Sequence, residues 1–163
     1  NFKGDYLMTT TINGIPSVVE GVAYYPYILV PNDRFQPAFY EVSVAVSDET
    51  FDQFKSRGYV SCFPAGGRNF TPDPVIVFKK FAFNKDGSAN KPPRLVDLDG
   101  NDVDVNVGNG SKVKIQWNHS EYGGKEGKAK VKRPVLVAVQ VVELVEWEGD
   151  SPATANEDPD LEF

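Results

Sequence analysis

One cysteine, Cys62, and one histidine, His119, are all that 163 residues offer of the side chains that build zinc sites and disulfides. That excludes a disulfide framework and a zinc centre of the usual Cys/His kind. No apolar run approaches the ~20 residues of a membrane-spanning helix, and the N-terminal stretch lacks the pattern of a signal peptide. A reducing cytoplasm is the expected setting, with no membrane partner. Asn1 stands where chains normally begin with Met, so trimming or a junction is expected there. Three Asn-x-Ser/Thr triplets, at Asn69, Asn109 and Asn118, match the glycosylation pattern but lack a secretory context.

What is present is turn chemistry and apolar surface. Twelve prolines and fourteen glycines separate short β-branched runs, and 40% of the residues are hydrophobic. The chain is long enough for one domain with its own core, and the composition favours an all-β fold.

Charge is distributed unevenly. The net charge is −6, yet residues 148–163 hold six acids (Glu148, Asp150, Glu157, Asp158, Asp160, Glu162) and no base, which leaves residues 1–147 neutral. Between Lys112 and Arg133 seven bases face two acids. A neutral body therefore carries a basic lobe and an acidic end. We expect residues 1–147 to fold as one domain and 148–163 to form a disordered acidic tail, too polar to pack.

Residues 1–16 have too little periodicity to assign. Strands are expected over 17–30, with Pro26 marking a bulge or an edge, and over "AFYEVSVAV", where Tyr40, Val42, Val44 and Val46 share one face. "SDETFDQFKSRG" reads as a helix. Ser47 is its N-cap, acids fill the first turn, Phe51 and Phe54 lie on the buried side, and Gly58 supplies the left-handed stop. "VIVFKKFAF" is a further strand, and "LVDLDGNDVDV" a small hairpin turning at Asp99-Gly100. "SKVKIQW" alternates strictly, with Val113, Ile115 and Trp117 on one side and Lys112, Lys114 and Gln116 on the other. "NHSEYGGKEGKAKVKR" reads as a long basic loop, and "PVLVAVQVVELVEW" as a central strand. Five principal strands and one inserted helix match a five-stranded Greek-key barrel such as the OB-fold at least as well as a β-sandwich.

Catalytic readings find no support. "GGKEGKAK" has the wrong glycine spacing for a phosphate loop, and no Ser or Thr follows Gly127-Lys128. "DLDGNDVD" gathers four aspartates, but its glycine is misplaced for a calcium loop, so a solvated hairpin is expected. His119 has no Ser or Cys partner in a nucleophile context and reads as a loop residue. Cys62, between Val60 and Phe63, reads as a small buried apolar group. No enzyme, cofactor or metal is implied.

What remains is a binding constellation. Sequence-independent recognition of single-stranded nucleic acid requires cations that follow the phosphates and aromatic faces on which bases stack. In an OB-fold the surface used is the face of strands 2–3 with the loops joining strands 1–2 and 4–5. On this layout the first loop carries Arg34 and Phe35, and Tyr40 lies on the second strand. Lys79 and Phe81 share a face of "VFKKFAF". The polar side of "SKVKIQW" adds Lys112 and Lys114. The basic loop adds Tyr122, Lys125, Lys128, Lys130, Lys132 and Arg133. Phe39, Phe78 and Trp117 are expected in the core, as strand aromatics usually are.

At this point the chain resembles the phage-encoded single-stranded DNA-binding proteins with an OB-fold, as found in short-tailed, T7-like phages. The resemblance covers most of the chain. It rests on the order of "YYPYILVPNDRFQPAFYEVSVAVS", the helix after it, "FNKDGSANKPPRLVDLDGNDV", "GNGSKVKIQWNHSEYGGKEGKAKVKRPVLVAVQVVELVEW" and the acidic end closing on Phe163. It implies a protein of the infected bacterial host's cytoplasm that coats single strands in replication, recombination and repair. It also implies a tail (Glu157, Asp158, Asp160, Glu162, Phe163) that contacts a phage replication polymerase or helicase and competes with DNA for the basic cleft. A homodimer is compatible with it. The rival expectation is a β-sandwich structural protein of a virion.

Overall fold

The computed structural model describes residues 10–34, 36–68, 71–127 and 129–146, with the side chain of Lys125 outside the description. It starts inside the stretch that carried no periodicity. There, β1 (Thr11–Ile12) and β2 (Ile15–Pro16) form a small hairpin around Asn13 and Gly14, both at positive φ. Asn and Gly are the residues that visit this conformation at least cost.

β3 (Val18–Asn32) and β4 (Phe39–Ala45) follow as antiparallel neighbours. Pro26 lies in a bulge, as its missing N–H requires. Tyr24 pairs with Ser43 and Tyr27 with Glu41, so β3 carries one residue more than β4 across that stretch, and Tyr25 takes φ 49°. At Gly21 the two strands come so close that a Cβ would fall against the Ala45 carbonyl oxygen and the Val44 side chain.

The helix α1 (Asp48–Ser56) has the ends its sequence specifies. The Ser47 side chain accepts from Thr50 N–H at 3.1 Å, and Gly58 sits at φ 86° just past the C-cap. Its apolar side delivers Phe54, fully buried, against Trp117 (ring centroids 4.8 Å apart), Tyr59 (5.4 Å) and Phe78 (5.9 Å). Because Trp117 and Phe78 point inward from the sheet, α1 covers one end of the core.

β5 (Cys62–Phe63) and β7 (Arg94–Val96) are short edge strands, the first beside β6 (Val75–Phe81) and the second beside β9 (Lys130–Glu143), while β8 (Lys112–Gly123) lies between β3 and β9. The expected turn at Asp99-Gly100 is present. The Asp97 side chain accepts from Asp99 N–H and Asn101 N–H, and Gly100 takes φ 84°. Along β8 the alternation holds: Val113, Ile115 and Trp117 are buried, and the Trp117 indole N–H donates to Pro16 O at 2.8 Å.

Sheet order runs β5-β6-β4-β3-β8-β9-β7, and a parallel β6–β9 pairing through Lys79 and Val135 joins the ends of the five long strands. That pairing closes a barrel. Five strands, closed by their third and fifth members with a meander at the start and a hairpin at the end, make an OB-fold. The sandwich alternative is thereby overturned. Among the described residues no helix is long and apolar enough to cross a membrane.

One expected element differs. The basic segment 118–133 is not an open loop but largely a ladder. β8 runs to Gly123 and β9 starts at Lys130, with Asn118 opposite Val135 and Tyr122 opposite Val131. His119 accordingly lies on a strand rather than in a loop.

Candidate nucleic-acid interface

Residues directly opposite in adjacent strands share a face, and successive residues alternate. Since Tyr40, Val42 and Val44 face the core, Phe39 and Glu41 face outward. The β4–β6 register sets them against Phe81 and Lys79. The result is an aromatic pair, Phe39 and Phe81, with centroids 4.8 Å apart, beside the Lys79 ammonium, 4.8 Å from the Phe39 ring centre.

The β8–β9 hairpin brings a third ring and a second cation to the same place. Arg133 stands opposite Ser120, two positions along from the pair of Tyr122 and Val131. Its guanidinium carbon lies 4.7 Å from the Tyr122 ring centre and 5.2 Å from those of Phe39 and Phe81. Phe81 and Tyr122 remain about half exposed, at 47% and 46%. Three rings and two cations thus share one solvent-facing patch on the strand 2–3 face of the barrel, at the root of the hairpin joining strands 4 and 5.

Four of the expected site residues meet here: Lys79, Phe81, Tyr122 and Arg133. Phe39, expected in the core, belongs to the patch instead. Its signal was the phase of the alternation, because Tyr40, Val42 and Val44 cannot all face inward without turning Phe39 out.

Tyr40 is a correction. Only 7% exposed, it is buried with Ala38 and Ala82 and has no ring face for a base. Lys112 and Lys114 also lie elsewhere. Ten and eight residues from Tyr122 along β8, they stand roughly 30 Å away at an ordinary strand rise. Lys112 pairs with Glu143 at 3.6 Å, and Lys114 stands opposite Glu20 in the register.

Lys130 and Lys132 alternate out of phase with Arg133 and occupy the other side of the hairpin, where the Lys132 ammonium donates to Arg57 O at 3.0 Å. On that side the His119 Nε2 lies 2.8 Å from Glu121 Oε2. A carboxylate only accepts, so the ring proton is assigned to Nε2; the Tyr59 hydroxyl then donates to Nδ1 at 2.8 Å and accepts from Asn13 Nδ2. The His119 hydrogen bond, with Lys130 and Lys132 adding, holds the Glu121 carboxyl below the usual range. Burial pushes the Tyr59 hydroxyl up. This network ties the hairpin to the segment after α1.

Arg34 belongs to a separate groove of about 560 Å³ that includes Tyr27, Asn109 and Val145. Its guanidinium donates to the Tyr27 hydroxyl at 2.9 Å. Tyr27 stands opposite Glu41, so this groove adjoins the outward strip that leads to Lys79 and Phe39. Phe35, Lys128 and the tail residues lie outside the described residues, and of Lys125 only the backbone is described, in a short 3-10 turn over Lys125–Gly127.

No family model matches the sequence, and no curated protein matches it. Solved structures do. The gp2.5 single-stranded DNA-binding protein encoded by bacteriophage T7 superposes with a TM-score of 0.55 at 19% identity, over 82% of this chain and 94% of that one. The single-stranded DNA-binding protein of bacteriophage Enc34 gives a TM-score of 0.55 at 10% identity, over 91% of this chain and 97% of that one. The same Enc34 protein in complex with single-stranded DNA matches equally, over 86% and 96%. The chain has the fold of phage single-stranded DNA-binding proteins. With this OB-fold, the patch around Arg133 falls on the face that such barrels present to oligonucleotides.

Proposed function

We propose that this chain is a sequence-independent single-stranded DNA-binding protein, a coat rather than an enzyme, acting in phage replication and recombination inside the infected bacterial cell. The observation that carries the reading is the Phe39–Phe81–Tyr122 cluster around Arg133 and Lys79. Flat rings accept any base, and cations beside them neutralise the backbone without reading sequence. The Enc34 protein, which shares the fold, is known in complex with single-stranded DNA, and that supports the assignment.

We further infer that residues 1–147 are the binding domain and that 148–163 are a tail. On this reading the tail recruits the replication polymerase or helicase and competes with DNA for the basic patch. The acids supply a polyanion; Phe163 supplies an apolar anchor beside a carboxylate. The domain is compatible with a homodimer.

Binding is tested by anisotropy of a labelled oligo(dT) against a duplex of equal length; equal affinity for both would remove the single-strand reading. The tail is tested by ending the chain after Trp147. That should tighten DNA binding, most at low salt, where screening is weakest. Removing Phe163 alone should leave DNA affinity within about twofold yet weaken polymerase or helicase binding some thirtyfold, the worth of a ~2 kcal/mol anchor. Equal partner binding by both forms would reduce Phe163 to a mere chain end.

A further inference from the structure

Arg133 has an environment that a general surface cation does not need. Three rings approach its guanidinium, at 4.7, 5.2 and 5.2 Å, from two strands of the sheet and from the hairpin. Among the described residues no carboxylate, carbonyl or hydroxyl engages it. Among these residues the cation is therefore held by ring contacts, with its N–H donors unspent. Lys79, its neighbour in the patch, differs: an ammonium set over one ring, Phe39, it is a point charge without a fixed plane.

A planar fork of N–H donors matches an anion that offers two oxygens side by side, which is the geometry of a phosphodiester. We propose that Arg133 is a pre-oriented phosphate fork. It grips one backbone phosphate through its free N–H edge, while Phe81 and Tyr122, which orient it, offer their exposed faces to the bases on either side. The inference rests on the single-stranded DNA reading and deepens it. One residue couples the electrostatic contact to the stacking contacts, so the patch acts as a unit rather than as separate charges and rings.

Arg133→Lys separates this role from plain charge. It keeps the cation but loses the paired donors and the flat plane, so oligo(dT) affinity should fall about tenfold while the salt slope stays that of the wild type. Arg133→Ala should lower affinity further and reduce the slope by about 0.7, the value for one phosphate on a single strand. In a Tyr122→Ala background, Arg133→Lys should cost no more than about threefold, because a ring that holds the fork has gone. Wild-type affinity in Arg133→Lys would overturn the proposal, as would an unchanged slope in Arg133→Ala. Strictly additive losses in the double variant would overturn the orienting role of Tyr122. Should Arg133→Ala fail to fold, as circular dichroism would show, the Lys variant and the double variant decide alone. A wild-type chain that ignores oligo(dT) would overturn the DNA-binding reading and the proposal together; wild-type binding with an indifferent Arg133→Lys overturns the proposal only.

Discussion

Replacing Tyr122 by alanine removes a ring from the patch without touching a charge or the core. The side chain is 46% exposed, and one side of the ring lies toward Arg133. Only the remaining side is available to a base, so the loss is at least that of a single stack, with the loosened hold on Arg133 adding to it. Base–aromatic stacking is worth ~1–3 kcal/mol by alanine substitution. A value near ~1.5 kcal/mol corresponds to roughly tenfold in Kd. The slope of log K against log salt should not move, since the Arg133 charge stays in the patch even where the loss of the ring loosens its orientation. Tyr122→Phe keeps the ring and should bind within about twofold of the wild type. Stability should fall by no more than the ~0.5–1 kcal/mol of an exposed cation–π contact, so a urea titration separates a binding defect from an unfolded hairpin. The assay is anisotropy of a labelled oligo(dT) at several salt concentrations. Undiminished affinity in a folded Tyr122→Ala protein would refute the assignment of this ring to stacking.

Three other outcomes follow from the same geometry. Lys79→Ala should reduce the salt slope by about 0.7 and weaken binding, whereas Lys112→Ala, paired with Glu143 at the far end of β8, should leave both nearly unchanged; equal effects would mean that DNA runs the length of the strand. Phe54→Ala should destabilise the fold by ~3–5 kcal/mol in urea denaturation, because a ring packed on Tyr59, Phe78 and Trp117 leaves a cavity under the helix. Cys62, whose thiol is pushed up to about 11 from 9.0 by burial, should react with a thiol reagent only on unfolding. The neutral thiol's contribution to stability is complete below about pH 9 and is lost as pH rises toward about 11, and a pH series of denaturation midpoints checks that sign.

The elements that read clearly from the sequence are those whose local chemistry and tertiary burial agree. Val113, Ile115 and Trp117 alternate because one side of β8 is core, and Ser47 and Gly58 mark the helix because orphan backbone groups need those residues. Pro26 signals a bulge or an edge for the same kind of reason, and the register shift between Tyr24 and Tyr27 makes it a bulge. The hairpin from Asn118 to Arg133 was hidden. It carries charges on both sides and few apolar residues, so no period-two pattern survives, and cross-strand hydrogen bonds with the ties to Tyr59 and Arg57 hold it extended. Phe39 and Tyr40 show a different limit. Alternation separates the two rings into opposite faces, but an aromatic prior for the core cannot say which of them lies outside until the phase is set by Val42 and Val44. The basic residues of the hairpin obey the same parity: Arg133 joins the rings, and Lys132 turns toward the end of the helix. Barrel closure through Lys79 and Val135 leaves no local mark in either strand, since a single parallel pair far apart in the chain imposes no pattern on the residues around it.

The central claim, that this barrel binds single strands through an aromatic and cationic patch, is tested most directly by one titration. The full chain is added to a labelled oligo(dT), and in parallel to a duplex of equal length, at low and at physiological salt. The account predicts saturable binding to the single strand that weakens as salt rises, with the duplex bound much more weakly at either ionic strength. Equal binding to duplex and single strand, or no binding to oligo(dT) at low salt, would contradict it.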